Sequence, residues 1–322
     1  MPERSFETWL SLEAVPSDFG PSAVAIGNFD GVHLGHQAIL SKTLDESRRS
    51  GWKSVAVLFD PHPLQVVAPE RAPKLLSTPA ERIERIRALG LDAAVVLRFT
   101  PELMQLSPEQ FVQQVLVDRL GVRHIVVGRN FRFGHRHAGD IDTLENLGRA
   151  LGFNLEAVDG VCAHSRVVSS SAVRLAAEAG AVGEARRLLG RAFSIRGQVV
   201  KGRGIGSKQT VPTLNLSPDA EIEPASGVYV TRTRDASDGR CWRSVTNVGV
   251  RPTFGGGETT IETYLLDPLV GVSPERIEVA FYSRLRPEMK FETAEALKRQ
   301  ILADAARADR FFARLTRVER QP

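Results

Sequence analysis

The stretch "GNFDGVHLGH", residues 27–36, sets two histidines three positions apart among glycines, directly after the apolar run "SAVAI". A strand ending at Gly27 and a helix starting near His33 would put His33 and His36 on one helical face. The positive end of the helix and its free backbone N–H groups lie at the same place, which makes an anion site. Two imidazoles there can donate hydrogen bonds to phosphate oxygens, most strongly as charge builds in a transition state. Gly31 permits a tight turn, and Gly35 is expected to leave room for a nucleotide to approach the backbone.

A second dense stretch is "KGRGIGSKQTVPTLNL", residues 201–216, with alternate glycines Gly202, Gly204 and Gly206 ahead of a lysine. It fits neither GxxxxGK[ST] nor GxGxxG, because the spacing to Lys208 is wrong and residue 207 is Ser. It reads instead as a loop wrapping phosphate ahead of a strand. Thr213 and Asn215 are two apart and so share one face of that strand. A hydroxyl and an amide oxygen are hard ligands suited to Mg²⁺. A turn followed by an edge strand accounts for the same residues equally well. All seven histidines precede the second half of the chain, so a general base there is a carboxylate, Lys, Tyr or Cys unless one is borrowed.

The elements that must position these residues fall into two styles. Up to about residue 185, "SAVAIGNF", "SVAVLFD", "DAAVVLRF" and "HIVVGRNF" predict buried strands. Between or after them, "GHQAILSKTLDESRRS", "TPAERIERIRALG", "SPEQFVQQVLVDRL" and "DIDTLENLGRALG" predict helices, several with Ser, Thr or Asp caps and three followed by Gly. This rhythm predicts a doubly wound, Rossmann-like α/β sheet, whose ligands bind at the carboxyl ends of the strands. After the helical "SSSAVRLAAEAGAVGEARRLLGRAF", the short alternating runs "SIRGQVVKG", "GVYVTRTR", "CWRSVTNVGV", "TTIETYLLD" and "RIEVAFYSRLR" predict an antiparallel β-barrel or sandwich. An amphipathic helix, "TAEALKRQILADAARADRFFARL", closes it. The expected domains are residues 1–186 and 187–322.

Composition narrows the classes. With 322 residues, 42% hydrophobic and 25% charged, the chain is of two-domain globular type. A formal net charge of +4 suits anionic small substrates, and the basic residues form no block, which argues against nucleic acid as the main partner. Two cysteines outside any CxxC argue against a disulfide framework or structural zinc. No apolar run reaches the length of a membrane span, and the N-terminal residues lack a signal-peptide core, so a cytoplasmic location is expected.

"GNFDGVHLGH" resembles the HxGH motif of the nucleotidyltransferase superfamily, in the form found in the adenylyltransferase module of bacterial bifunctional riboflavin kinase/FAD synthetases. "FDPHP" (59–63), "VGRNFRFGHRHAGD" (127–140) and "VSSSAVR" (168–174) are similar to that family in the same order, the last with Ser171 and Val173 as departures. The resemblance implies that FMN phosphate attacks the α-phosphorus of ATP, with pyrophosphate leaving. It implies catalytic roles for His33, His36 and Arg174, and nucleotide contacts from Gly27, Asn28, Phe29, Asp30, Gly35, Ser169 and Ser170. Asn130 and Arg132, after a strand end, are implied for the flavin phosphate or metal-bound ATP.

In the second half, "PTLN", "GVY", "NVGVRPTFGG", "IETYLLD" and "RLRPEMKF" resemble segments of the riboflavin kinase module. The resemblance implies Glu262 as the base that takes the proton from the ribityl 5′-hydroxyl, Thr213 and Asn215 on Mg²⁺, Gly202, Gly204 and Gly206 on nucleotide, and Arg286 on flavin. The chain departs from the family at Gln209, Thr210 and Val211, where Leu-Gly-Phe is usual, and at Pro268, where Phe is common. The expected activity is therefore riboflavin to FMN to FAD, with riboflavin, FMN and ATP as small-molecule partners. The alternatives are an FAD synthetase with a decayed kinase module, and a nucleotidyltransferase for a different phosphorylated substrate.

Overall fold

The computed structural model of the chain describes residues 5–200, 213–219, 221–253 and 256–319. The glycine-rich segment 201–212, with Gly202, Gly204, Gly206, Gln209, Thr210 and Val211, lies outside the described residues. The chain divides into two compact units, Met1–Ser170 and Ser171–Pro322.

The first unit is built on parallel strands β1 (Glu7–Trp9), β2 (Ser22–Ile26), β3 (Lys53–Asp60), β4 (Ala93–Arg98), β5 (Val122–Gly128) and β6 (Asn154–Val158). They lie in the order β1-β4-β3-β2-β5-β6, and every pairing is parallel. Helices α1 (Leu34–Ser50), α2 (Pro63–Val67), α3 (Pro79–Ala88), α4 (Pro101–Gln105), α5 (Pro108–Phe111) and α6 (Ile141–Leu151) connect them. Both faces of the sheet are covered, so its inner strands read as unbroken apolar runs. Along them the pleat still sorts residues. Val24, Ile26, Val55, Val57, Val95 and Leu97 enter one core cluster, and Ala25, Ala56, Leu58 and Val96 enter the other. The alanines on that second face let Leu40 of α1 become fully buried there.

The chain order turns at β2, with β3 and β4 on one side of it and β5 and β6 on the other. In such sheets ligands sit outside the carboxyl ends of the strands at this switch point. "GNFDGVHLGH" follows β2, and "VGRNFRF" runs off β5.

Two edge strands were not among those expected. β1 is a three-residue "ETW" and β6 is "NLEAV", both too short or too polar to show a pattern. The expected helix "SPEQFVQQVLVDRL" forms as α5 followed by a wider π-helical turn over Val112–Val117, which brings Val112, Val115 and Leu116 all into the core. A small hairpin, β7 (Cys162–Ala163) with β8 (Arg166–Val167), precedes α7 (Ser170–Glu178), and α8 (Val182–Leu189) follows.

The second unit is a closed antiparallel barrel of β9 (Phe193–Val200), β10 (Thr213–Pro218), β11 (Gly227–Asp235), β12 (Cys241–Thr253), β13 (Gly256–Leu265) and β14 (Arg276–Arg286). Its order is β10-β13-β12-β11-β14-β9, and α8 packs on β14 and β9. Alternation assigns the two faces of each strand. Val228, Val230 and Val245 face outward, under Ala308 and Phe312 of α9 (Ala294–Glu319). Inside, Thr231, Thr233, Ser244, Thr246 and Thr263 are fully buried. Their hydroxyls bond to one another at 2.8–2.9 Å, so each buried oxygen is satisfied across the strands.

Candidate active sites

His33 is the N-cap of α1. Its Nδ1 accepts a hydrogen bond from the His36 N–H at 3.2 Å, so the neutral ring carries its proton on Nε2. The His36 ring stacks on it, with centroids 3.6 Å apart and planes 15° from parallel, and meets Phe29 edge-on at 5.3 Å. Burial, then the neighbouring His33, then Arg82 hold the His36 proton affinity well below the usual histidine value. Its Nδ1 is buried and has no hydrogen-bond partner among the described residues. The site thus presents two stacked imidazoles at a helix start, the buried His36 held uncharged, placed to donate to phosphate oxygens.

The loop that delivers them is strained. Phe29, Gly31 and Val32 all have positive φ, at 50°, 76° and 41°, and only one of them is glycine. Such backbone persists where the surroundings hold it. Phe29 is fully buried in the core, with its ring against Gly27. Asp30 is 2% exposed, and its carboxylate accepts from the Leu76 N–H and the Ser77 N–H and hydroxyl. Ser77 Oγ in turn accepts from the Gly31 N–H. The Ser170 hydroxyl, at the start of α7, donates to the Asp30 carbonyl at 3.0 Å. Asp30 and Ser170 therefore hold the loop's shape. Gly35 also has a different reason from the expected one. A Cβ there would lie 3.2 Å from Cε1 and Nδ1 of His33, so the imidazole itself occupies the space above it.

Asn28 is held through its side chain by a residue the motif does not contain. Nδ1 of His62 accepts from the Leu64 N–H, so the neutral ring donates from Nε2, which lies 3.0 Å from the Asn28 amide. That donation requires the Asn28 oxygen to face His62. This amide orientation also satisfies the buried Oδ1 and turns the NH₂ away from His62. His62 lies in "FDPHP"; its role was hidden because it depends on the β2–β3 pairing.

At the end of β5, Asn130 turns back so that its Oδ1 lies 3.2 Å from where a Gly128 Cβ would be. Arg132 forms an ion pair with Asp140 at 2.8 Å. Asp140 also caps α6 through the Thr143 N–H and hydroxyl, and these bonds, more than Arg132, lower its pKa. Arg174 stands one turn after Ser170 on α7 and reaches Ser171 Oγ at 3.4 Å. Ser169 directly precedes α7.

In the barrel, the strand register brings the expected kinase residues together. Asn215 pairs with Glu262, and Thr213 pairs with Tyr264. On its other side Glu262 pairs with Asn247. Directly paired residues share a face. Leu214, Leu216, Thr246, Val248, Ile261 and Thr263 are buried on the inner face, so Thr213, Asn215, Glu262 and Asn247 face outward, beside the patch that α9 covers through Tyr264 and Val245. Asn247 was missed in the sequence because only the β12–β13 register places it next to Glu262. Arg286 is placed elsewhere. Its Nε donates to Asp304 of α9 at 2.9 Å, Asp304 is 2% exposed, and Gln300 donates to the same carboxylate. This guanidinium fastens α9 to β14.

A family model of FAD synthetase matches residues 15–172, and one of riboflavin kinase matches residues 189–312. A bifunctional riboflavin kinase/FMN adenylyltransferase of Pseudomonas fluorescens is 40% identical over 88% of this chain and 90% of its own length. The chain belongs to this bifunctional family. The Escherichia coli K12 member is 33% identical over 90% of this chain and 92% of its own. A crystal structure described as a macrolide-efflux protein from Streptococcus pneumoniae superposes with a TM-score of 0.82 at 26% identity, covering 93% of this chain and 97% of that one. That description speaks of transport; among its described residues this family member has no helix long and apolar enough to cross a membrane. The two matched segments hold the stacked histidines and the bracketed Glu262 respectively.

Proposed function

We propose that this bifunctional enzyme phosphorylates riboflavin to FMN at the barrel and adenylylates FMN to FAD at the α/β sheet, with the residues above in specific roles. In the second reaction an oxygen of the FMN phosphate attacks the α-phosphorus of ATP, and pyrophosphate leaves. His33 Nε2–H and the His36 ring hold phosphate oxygens at the helix start, and the charge spreading onto them in the transition state strengthens those bonds. Arg174 and the Ser169–Ser170 helix start take the pyrophosphate side, and Asn130 takes the flavin phosphate. The observation that carries this reading is the stacked histidine pair, His33 with the buried His36, at the switch point of the sheet.

In the first reaction Glu262 takes the proton of the ribityl 5′-hydroxyl as its oxygen attacks the γ-phosphorus of ATP, and ADP leaves. Asn215 and Asn247 flank the carboxylate and fix its position. Thr213 and Asn215 offer hard oxygen donors on the same outward face, a donor set that fits Mg²⁺; bound there, the ion would neutralise charge on the phosphates of ATP. Every residue assigned to adenylyl transfer lies within 1–186 and every one assigned to the kinase within 187–322, which is the functional division we adopt, although the contact-defined units part after Ser170. The exposed, free Cys162 and Cys241 suit a cytoplasmic location.

The test is a coupled assay with riboflavin, ATP and Mg²⁺, with flavins separated by chromatography. FMN should appear first and FAD after it. His36→Ala should stop FAD and leave FMN formation, whereas Glu262→Ala should stop FMN and leave FAD formation from supplied FMN. Loss of both activities in both folded variants would overturn the assignment of two independent sites. FAD formation without FMN formation in the parent protein would favour the alternative of a decayed kinase module.

A further inference from the structure

Helix α3 carries the sequence "PAERIERIRA", which reads as a charged surface helix. Arg82, at its centre, has no exposed surface at all and is the largest fully buried side chain among the described residues. Taking a guanidinium out of water is costly, and such a group is ordinarily matched by a carboxylate in contact. Here the contacts are backbone carbonyls. Nη1 donates to the Asn28 carbonyl at 2.9 Å, and Nε reaches the Thr78 carbonyl at 3.4 Å. Nη2 is buried and has no hydrogen-bond partner among the described residues.

The acidic groups whose charge acts on Arg82 are Asp30, Asp60 and Glu81. Two of these are committed to other bonds. Asp30 accepts from Leu76 and Ser77, and Glu81 accepts from the Thr78 N–H in the capping box that starts α3. Among the described residues no carboxylate forms a hydrogen bond or ion pair with Arg82, and Asp60 acts on it through charge alone, so the cation lies in the interior without a dedicated counter-ion. The partner to which that cation donates best is Asn28, the residue that leads into the strained run from Phe29 to Val32 and so to His33.

We propose that Arg82 is a positioning residue of the adenylyl-transfer site, which fixes the histidine-bearing loop through the Asn28 carbonyl and places a permanent positive charge behind the phosphate cradle. The inference rests on the reading that His33 and His36 hold ATP phosphates. Asn28 is then clamped from two sides, its carbonyl by Arg82 and its amide by His62. The charge works in two directions. It attracts the anionic substrate, and it opposes protonation of His36, on which it acts together with burial and with His33. A low-dielectric site makes both effects larger than they would be at the surface.

The experiment uses the full chain, with the urea midpoint of the first unit reporting on the folding of the part that holds Arg82 and riboflavin phosphorylation in the other unit serving as the unaffected activity. Arg82→Met keeps the apolar stem and removes the charge and the donors. FAD formation from supplied FMN should fall by about 10- to 100-fold, the scale of a misplaced catalytic group, while riboflavin phosphorylation is unchanged. The His36 imidazole, followed by NMR, should titrate roughly half to one pH unit higher than in the parent. Arg82→Lys, which restores charge and a donor, should recover part of the FAD formation. A variant that titrates His36 and forms FAD as the parent does would overturn the proposal. Should Arg82→Met unfold the first unit, Arg82→Gln decides. A folded first unit with His36 moved upward supports the proposal, and a folded first unit with His36 unmoved overturns it. His36→Ala with intact FAD formation would instead sink the reading of the histidine pair, whatever the Arg82 variants do.

Discussion

Asn247 of β12 and Glu262 of β13 are directly paired, and Glu262 is paired on its other edge with Asn215 of β10. The carboxylate proposed as the kinase base is thus bracketed by two amides that can hold it without changing its charge. Asn247→Asp should place a second carboxylate beside it and replace an amide that can donate with a group that only accepts. Riboflavin phosphorylation should then fall, with kcat lowered more than KM is raised, while FAD formation from FMN is unaffected. Steady-state kinetics of both activities measure this, and an unchanged kcat would exclude Asn247 from the site.

The ring of His33 fills the space above Gly35. Gly35→Ala should push that imidazole off its cap position and lower FAD formation by about 10- to 100-fold, with little loss of overall stability because the helix gains a better former. The rate of FAD formation, measured beside the urea midpoint of the first unit on the same preparation, separates this from misfolding.

His36 is held neutral in the folded state, below the ordinary value of 6.5. As pH falls through about 6.5 the unfolded chain gains a proton that the folded chain does not, so the unfolded state binds more protons and stability declines. The loss continues until the pH reaches the depressed folded-state value. At neutral pH and above, this group contributes no pH dependence. His36→Asn should flatten the acid side of the stability curve by up to about 1.4 kcal/mol per pH unit, read from urea midpoints of the first unit at pH 7.5 and 5.5.

Thr246 links Thr231 to Thr263, the last member of the hydroxyl chain inside the barrel. Thr246→Val keeps the shape but strands the buried Thr263 hydroxyl and leaves Thr231 with Ser244 alone. The expected cost is about 1–3 kcal/mol, seen as a lowered denaturation midpoint, with riboflavin phosphorylation retained at temperatures where the barrel is folded.

Gly197 shows how tightly the barrel is closed. A Cβ there would collide with the Ser217 carbonyl oxygen on the neighbouring strand β10. Gly197→Ala should force β9 away from β10, destabilise the barrel by more than a surface substitution does, and abolish phosphorylation before FAD formation on warming. Activity half-lives of the two reactions at a common temperature provide the comparison.

Much of this protein is legible from local chemistry. The apolar runs of β2 to β5, the capped helices α1, α3 and α6, the alternating strands of the barrel and the HxGH stretch follow from periodicity and cap residues, which act over a few positions. The pair His33 and His36 belongs here too, since a helix start fixes their relation whatever surrounds it. Tertiary structure alone decided which of the polar residues serve as scaffold. Arg286 and Asp30 are occupied by partners that come from α9 and from the chain before α3. Asn247 meets Glu262, His62 meets Asn28 and Arg82 meets the Asn28 carbonyl only after strands and helices distant in sequence have docked. The physical reason is that hydrogen bonding and burial are properties of neighbours in space. A one-residue change in the register of β12 would turn Asn247 to the opposite face from Glu262.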